Sequence, residues 1–207
     1  MDLNRPAYRV ETPRLVLRCW SPEDTIAVRA AIDASTRALK PWIPFMKEEP
    51  RDLAETGDWL RRHRAHFDLG LGFRYGVFDR QEVAVIGENM LLHRVGPDAL
   101  EIGYWTRTGE EGRGYASEAT CAMVRVAFEV HASRRVEIHC APGNAASAAI
   151  PAKLGFTHEA TLRERTEDHA GQWHDLMIWT LLASEYPASP AAKAEVAAFD
   201  ALSERLI

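Results

Sequence analysis

Residues 102–119 read IGYWTRTGEEGRGYASEA, and the order of elements within them decides the fold. Residues 101–106 form a short apolar and aromatic run that suits a strand. Gly109, Gly112 and Gly114 then interrupt any regular structure. From Ser117 the spacing turns helical, with Ala116, Ala119, Thr120, Met123, Val124, Ala127 and Phe128 on one face. Strand, glycine loop and helix in that order aim unpartnered N–H groups and the positive end of a helix dipole at one point. A phosphate fits such a point. Gly112 and Gly114 let the backbone approach it with no Cβ in the way.

Working outward, residues 73–79 alternate Phe73, Tyr75 and Val77 and predict a strand. Residues 82–94 predict another, with Gly87 marking a bulge or close approach. Short turns join these to the strand at 101–106, which predicts an antiparallel meander. Beyond the glycine-loop helix, residues 134–140 set Val136, Ile138 and Cys140 against Glu137 and His139. A strand, a crossover helix and a strand make parallel neighbours. Asn144 suits an N-cap and Gly155 a C-terminal stop for the helix between them. Pro151 lies inside that helix, so the carbonyl of Ser147 has no N–H four residues on. Residues 156–167 and 172–186 predict a closing hairpin.

Toward the N-terminus, residues 9–19 predict one strand. Ser21, Pro22 and Asp24 form a capping box that starts a helix running to Leu39, where Pro41 ends it. Residues 39–45 are a stiff apolar loop, and residues 52–68 predict a charged surface helix. His63 and His66 have HxxH spacing but no third ligand, so no metal site is expected. Ser189 and Pro190 begin an expected C-terminal helix with a Val196, Phe199, Leu202 and Leu206 stripe, to be buried on the domain or on a second subunit of a homodimer. The expected organisation is one α/β domain at 1–187 and a helical extension at 188–207.

Composition bounds the function. A chain of 207 residues with a hydrophobic fraction of 46% suits one domain with a substantial core. A net charge of -5 argues against general nucleic-acid binding. No apolar run is long enough to span a bilayer, and residues 1–10 show no signal-peptide pattern. Cys19, Cys121 and Cys140 read as reduced thiols, which makes the cytoplasm the expected location.

The loop is neither a GxxxxGK[ST] P-loop nor a GxGxxG fingerprint. It resembles the Gln/Arg-x-x-Gly-x-Gly/Ala loop of the GNAT N-acetyltransferases. Ile102-Gly103-Tyr104-Trp105, Thr12-Pro13-Arg14-Leu15, Asn144-x-x-Ser147 ahead of Lys153-Leu154-Gly155-Phe156, and Gln172-Trp173-His174-Asp175 resemble the RimJ/RimL-type branch, which acetylates ribosomal-protein N-termini. The resemblance covers residues 9–186. It implies a mixed, mostly antiparallel sheet whose central parallel strands splay apart, with acetyl-CoA entering from one side and an amine from the other. It implies cofactor contacts from Tyr104, Trp105, Thr106, Glu111, Gly112, Arg113, Gly114, Tyr115, Ala116, Ser117, Asn144 and Ser147, with Ser147 as proton donor to the leaving thiolate. Glu111 departs from the family pattern, and Arg107 or Arg113 is expected to offset its charge. The chemistry needs a neutral amine. An α-amino group titrates near about 7.7–8.0, so a modest base suffices. Glu101 is the first candidate, followed by Glu88 and Asp175. The acceptor is a protein N-terminus or a small-molecule amine. A CoA-binding sensor without catalysis and a nucleotide-phosphate binder stand as alternatives.

Overall fold

The computed structural model describes residues 5–207; residues 1–4 of the expected domain lie outside them. The elements run β1 (Arg9–Glu11), β2 (Leu15–Cys19), α1 (Thr25–Leu39), α2 (Leu53–Asp68), β3 (Phe73–Asp79), β4 (Val85–Leu92), β5 (Ala99–Thr106), α3 (Tyr115–Arg125), β6 (Arg135–Cys140), α4 (Ala145–Leu154), β7 (Thr157–Glu167), β8 (Trp173–Leu182) and β9 (Ala197–Phe199). The nine strands of the described residues form one sheet in the order β7-β8-β6-β5-β4-β3-β2-β1-β9.

Among the described residues only β5 and β6 run parallel, and they pair over just Ala99↔Arg135, Leu100↔Val136 and Glu101↔Glu137. Past that point β5 continues against β4 and β6 against β8. The two strands therefore part at Glu101, as the splayed sheet requires. Their alternate residues face different cores. Leu100, Ile102, Val136 and Ile138 pack with Ala119 and Met123 of α3. Trp105 packs with Trp20, Trp59 and Leu60 beneath α1 and α2 on the other face. Each large side chain buried this way contributes about 1.5–3 kcal/mol. At Gly87 a Cβ would lie 2.1 Å from the Trp105 carbonyl oxygen, and the β3–β4 register shifts beside it, so the expected close approach and bulge are both present.

The capping box at Ser21 and Asp24 forms, followed by a 3₁₀ turn over Pro22–Asp24 that leads into α1. The expected strand at 9–19 is instead a hairpin. Pro13 cannot donate to a ladder, and Leu15 N–H bonds the Thr12 side chain at the turn.

The C-terminal helix expected at 188–207 does not form. Pro190–Lys193 makes one 3₁₀ turn, and Ala197–Phe199 then pairs antiparallel with β1 through Val10↔Ala198. Val196, Ala198 and Asp200 are buried, while Ala197 and Phe199 between them are only partly so. That is the two-residue period of a strand. β1 offers an open sheet edge, and pairing satisfies its backbone groups as no helix could.

Candidate active site

The glycine loop forms as the sequence indicates. Gly109, Gly112 and Gly114 have φ of 95°, 74° and 81°, in the left-handed region that favours glycine. A Cβ on Gly112 would meet no protein atom within 4 Å, so the space above the loop is open to a ligand. Gly114 caps α3 and provides no side chain to bond its first N–H groups. That leaves an anion cradle at the helix N-terminus.

Arg14 holds the cradle in place. Its guanidinium bonds Glu118 of α3 at 2.6 Å and the Arg113 carbonyl at 2.9 Å, and it lies 4.7 Å above the Tyr115 ring. Thr12 also donates to Glu118, at 2.6 Å. The Thr12–Leu15 motif thus latches the loop from the neighbouring hairpin. The expected offset of Glu111 differs from what forms. Glu111 accepts the Gly109 N–H at 2.6 Å, while Arg113 pairs with Glu110 at 3.1 Å.

A cavity of about 1000 Å³ starts at this loop and passes through the gap between β5 and β6. Tyr104, Trp105, Thr106, Glu111, Gly112, Gly114, Tyr115, Ala116, Ser117, Asn144 and Ser147 all line it; Arg113 does not. Trp42 and Phe45 of the α1–α2 loop line it too, with Asp168 and His174 from the β7–β8 hairpin.

Asn144 caps α4 through a 3.1 Å bond from the Ser147 N–H. Pro151 sits inside α4 and leaves the Ser147 carbonyl without its helical donor. The Tyr104 hydroxyl lies 3.0 Å from that carbonyl and 3.0 Å from Ser147 Oγ. A tyrosine has one proton to give. With that proton on the carbonyl, the Ser147 hydroxyl is free to give its one proton either to the Tyr104 oxygen or, turned about its Cβ, to a group in the cavity. Burial pushes the Tyr104 phenol well above its ordinary value.

The three carboxylates proposed as bases occupy different settings. Glu88 is buried and accepts from the indoles of Trp20 and Trp105 and from Arg74, so it serves as a structural node beneath the site. Asp175 accepts the Glu164 N–H at 3.0 Å and shapes the β7–β8 hairpin. Glu101 does line the cavity, but Arg94 grips both of its oxygens. Arg94 and His139 also line the cavity, and the sequence alone assigns neither of them a role there. His139 lines the cavity two residues past Glu137, the β6 member of the last parallel pair. The only sign of it in the sequence is a polar residue on the exposed side of an alternating strand.

Cys140 also lines the cavity, and burial raises its thiol pKa. Asp168 pairs with His174 at 3.0 Å, and that bond with backbone N–H groups holds its carboxyl at about 2. His63 is packed on Trp59, and burial pushes it down to about 3. Among the described residues no group of His, Cys, Asp and Glu is arranged to hold a metal, and no helix is long and apolar enough to cross a membrane.

A phosphate cradle at one end of a cavity that crosses the sheet, with an acceptor space at the other, defines a transferase that brings two substrates together from opposite faces. The sequence matches the acetyltransferase (GNAT) domain family over residues 14–157, and the chain belongs to that family. It is an N-acetyltransferase that uses acetyl-CoA, a donor whose pyrophosphate suits the open glycine cradle. The Bacillus subtilis protein YdaF, whose name provisionally assigns it to ribosomal N-acetylation, is 30% identical over 83% of this chain and 93% of its own. The Escherichia coli ribosomal protein uS5-alanine N-acetyltransferase is 26% identical over 88% of this chain and 95% of its own. RimJ of Mycobacterium smegmatis, solved in complex with CoA-disulfide, superposes with a TM-score of 0.78 at 23% identity, covering 90% of this chain and 91% of that one. At that identity the last likeness bears on fold alone.

Proposed function

We propose that this enzyme acetylates the α-amino group of a protein or peptide N-terminus by direct attack in a ternary complex. The observation that carries this reading is the continuous cavity through the β5–β6 gap, with the cradle at one end and an acceptor side open at the other. The ribosomal protein acceptor named for the Escherichia coli relative supports a peptide amine.

When bound, acetyl-CoA supplies an acetyl thioester. Gly112, Gly114, Ala116 and Ser117 would receive its pyrophosphate through backbone N–H groups. Asn144 and Tyr104 fix the first turn of α4, which presents the Ser147 hydroxyl to the gap. Ser147 Oγ donates to the departing thiolate. Cys140 does not carry the acetyl group as an intermediate, because burial disfavours its thiolate, the form that attacks.

The test is a screen of amine acceptors for release of CoA thiol. It pairs peptides beginning with alanine, serine or methionine against polyamines and aminoglycosides. Turnover of the peptides supports the reading. Turnover confined to small amines would sink it.

A further inference from the structure

The acceptor side of the cavity holds a relay of charged groups that crosses from β5 to β6. Arg94 grips Glu101; His139 Nδ1 lies 3.5 Å from Glu101 Oε2; His139 Nε2 lies 2.6 Å from Glu137 Oε2; and Arg135 Nε bonds Glu137 at 2.6 Å. Glu101 and Glu137 are the last parallel pair, so His139 stands where the strands have begun to part. Leu100, Ile102, Val136 and Ile138 face α3. By strand alternation Glu101, Glu137 and His139 face the other way, toward the acceptor side.

We propose that His139 is the group that takes the proton from the attacking amine, and that Glu101 and Glu137 position and charge-balance it. This rests on the N-acetyltransfer reading above. Both oxygens of Glu101 lie in the fork of a guanidinium, which occupies the lone pairs a base would use. Its side chain is 4% exposed, so little of it is left for a substrate to reach.

His139 has the complementary properties. The short bond to Glu137 is made by an Nε2–H donor, so in the neutral ring the lone pair is on Nδ1. Nδ1 lies 3.5 Å from Glu101 Oε2, too long for a good hydrogen bond, and no donor among the described residues occupies it. Protonation of Nδ1 draws it toward Glu101 and leaves an imidazolium between two carboxylates, each balanced by its own arginine. From β8 the residue opposite His139 is the apolar Ile178, so that strand adds no charge. Cys140, next along β6, stays a neutral thiol.

In the step itself the amine nitrogen gives its lone pair to the acetyl carbon, and a C–N bond forms. The C–S bond breaks, and its electron pair leaves on sulfur, where Ser147 Oγ–H gives a hydrogen bond and a proton from solvent then makes the thiol. The proton lost from nitrogen goes to His139 Nδ1 and later to solvent. Acetyl amide and CoA thiol are the products, with no oxidant or further reactant.

The experiment uses the full chain, acetyl-CoA and the peptide or small amine with the highest turnover in the acceptor screen. The variants are His139→Ala, His139→Gln and Glu137→Gln. Three readouts are taken: kcat/KM between about pH 5 and 9, acetyl-CoA affinity by calorimetry, and ¹⁵N NMR of the imidazole in the parent. His139→Ala should lower kcat/KM by about 10²- to 10⁴-fold, the usual worth of a positioned proton acceptor. It should leave acetyl-CoA affinity within about twofold, erase the acidic limb of the profile and regain activity with added imidazole. Glu137→Gln should shift the acidic limb, and NMR should find the Nε2–H tautomer. An unchanged acidic limb in His139→Ala overturns the assignment, as does lost activity that imidazole does not restore. A protonated Nδ1 in the neutral parent overturns it whichever acceptor is used. If only small amines react, the peptide reading falls while His139 is still judged on the amine that works.

Discussion

The hydroxyl of Tyr104 stands 3.0 Å from the backbone carbonyl of Ser147, the one carbonyl of α4 that Pro151 deprives of its helical donor. A residue of the central strand thereby completes the hydrogen bonding of the helix across the cavity. Tyr104→Phe leaves a carbonyl short of a partner, at a cost of about 1–3 kcal/mol. Pro151→Ala restores an N–H at that position and should stabilise the fold, while drawing the Ser147 carbonyl away from Tyr104 and lowering kcat. In the double variant the Tyr104→Phe loss should shrink, because the carbonyl has its helical donor back. Urea unfolding of the four proteins measures this, and strictly additive losses would break the proposed link.

Gly114 has φ of 81°, and its N–H end of α3 forms the cradle. Gly114→Val forces a β-branched residue into the left-handed region, a strain of about 1–3 kcal/mol, and puts methyl groups where phosphate must approach. Acetyl-CoA binding should fall below detection by calorimetry. Affinity equal to the parent would mean that the cofactor sits elsewhere.

Ser147→Ala should slow kcat with little change in acetyl-CoA affinity, since a contact to the leaving thiolate matters most in the transition state. Steady-state kinetics beside calorimetry separates the two effects. A loss of affinity equal to the loss of rate would assign Ser147 to binding alone.

Removal of residues 190–207 uncovers the β1 edge and the buried Val10 beside it. The truncated chain should melt at a lower temperature and aggregate more readily. Equal melting points would show that β9 adds nothing to the sheet.

Burial holds His63 at about 3 and His131 at about 4, both below the ordinary histidine value of 6.5. The unfolded chain therefore binds more protons than the native one between those values and 6.5. Stability should fall as pH drops from about 6.5 toward 4, with no contribution from these groups above that window. His63→Phe should flatten the slope by the share of one proton. Unfolding free energies at a series of pH values, with the same slope in both proteins, would remove His63 from the effect.

What the sequence determined by itself was local. Phe73–Asp79, the Ser21 capping box, the three glycines and the Asn144 cap each place their cause within a few residues, so their elements were legible. Periodicity failed where two patterns overlap. Val196, Phe199 and Leu202 suit a helix stripe, yet the open edge of β1 claimed Ala197–Phe199 as a strand. Val10 shares a core face with Leu15 and Leu17 at odd spacing, a break that only the hairpin explains. The glycine cradle was readable because it is one contiguous loop. The acceptor side was not, because Arg94, Glu101, Glu137 and His139 come from separate strands and a connecting turn. Their roles depend on where β5 and β6 part and on which partner each charge meets, and tertiary packing alone decides both.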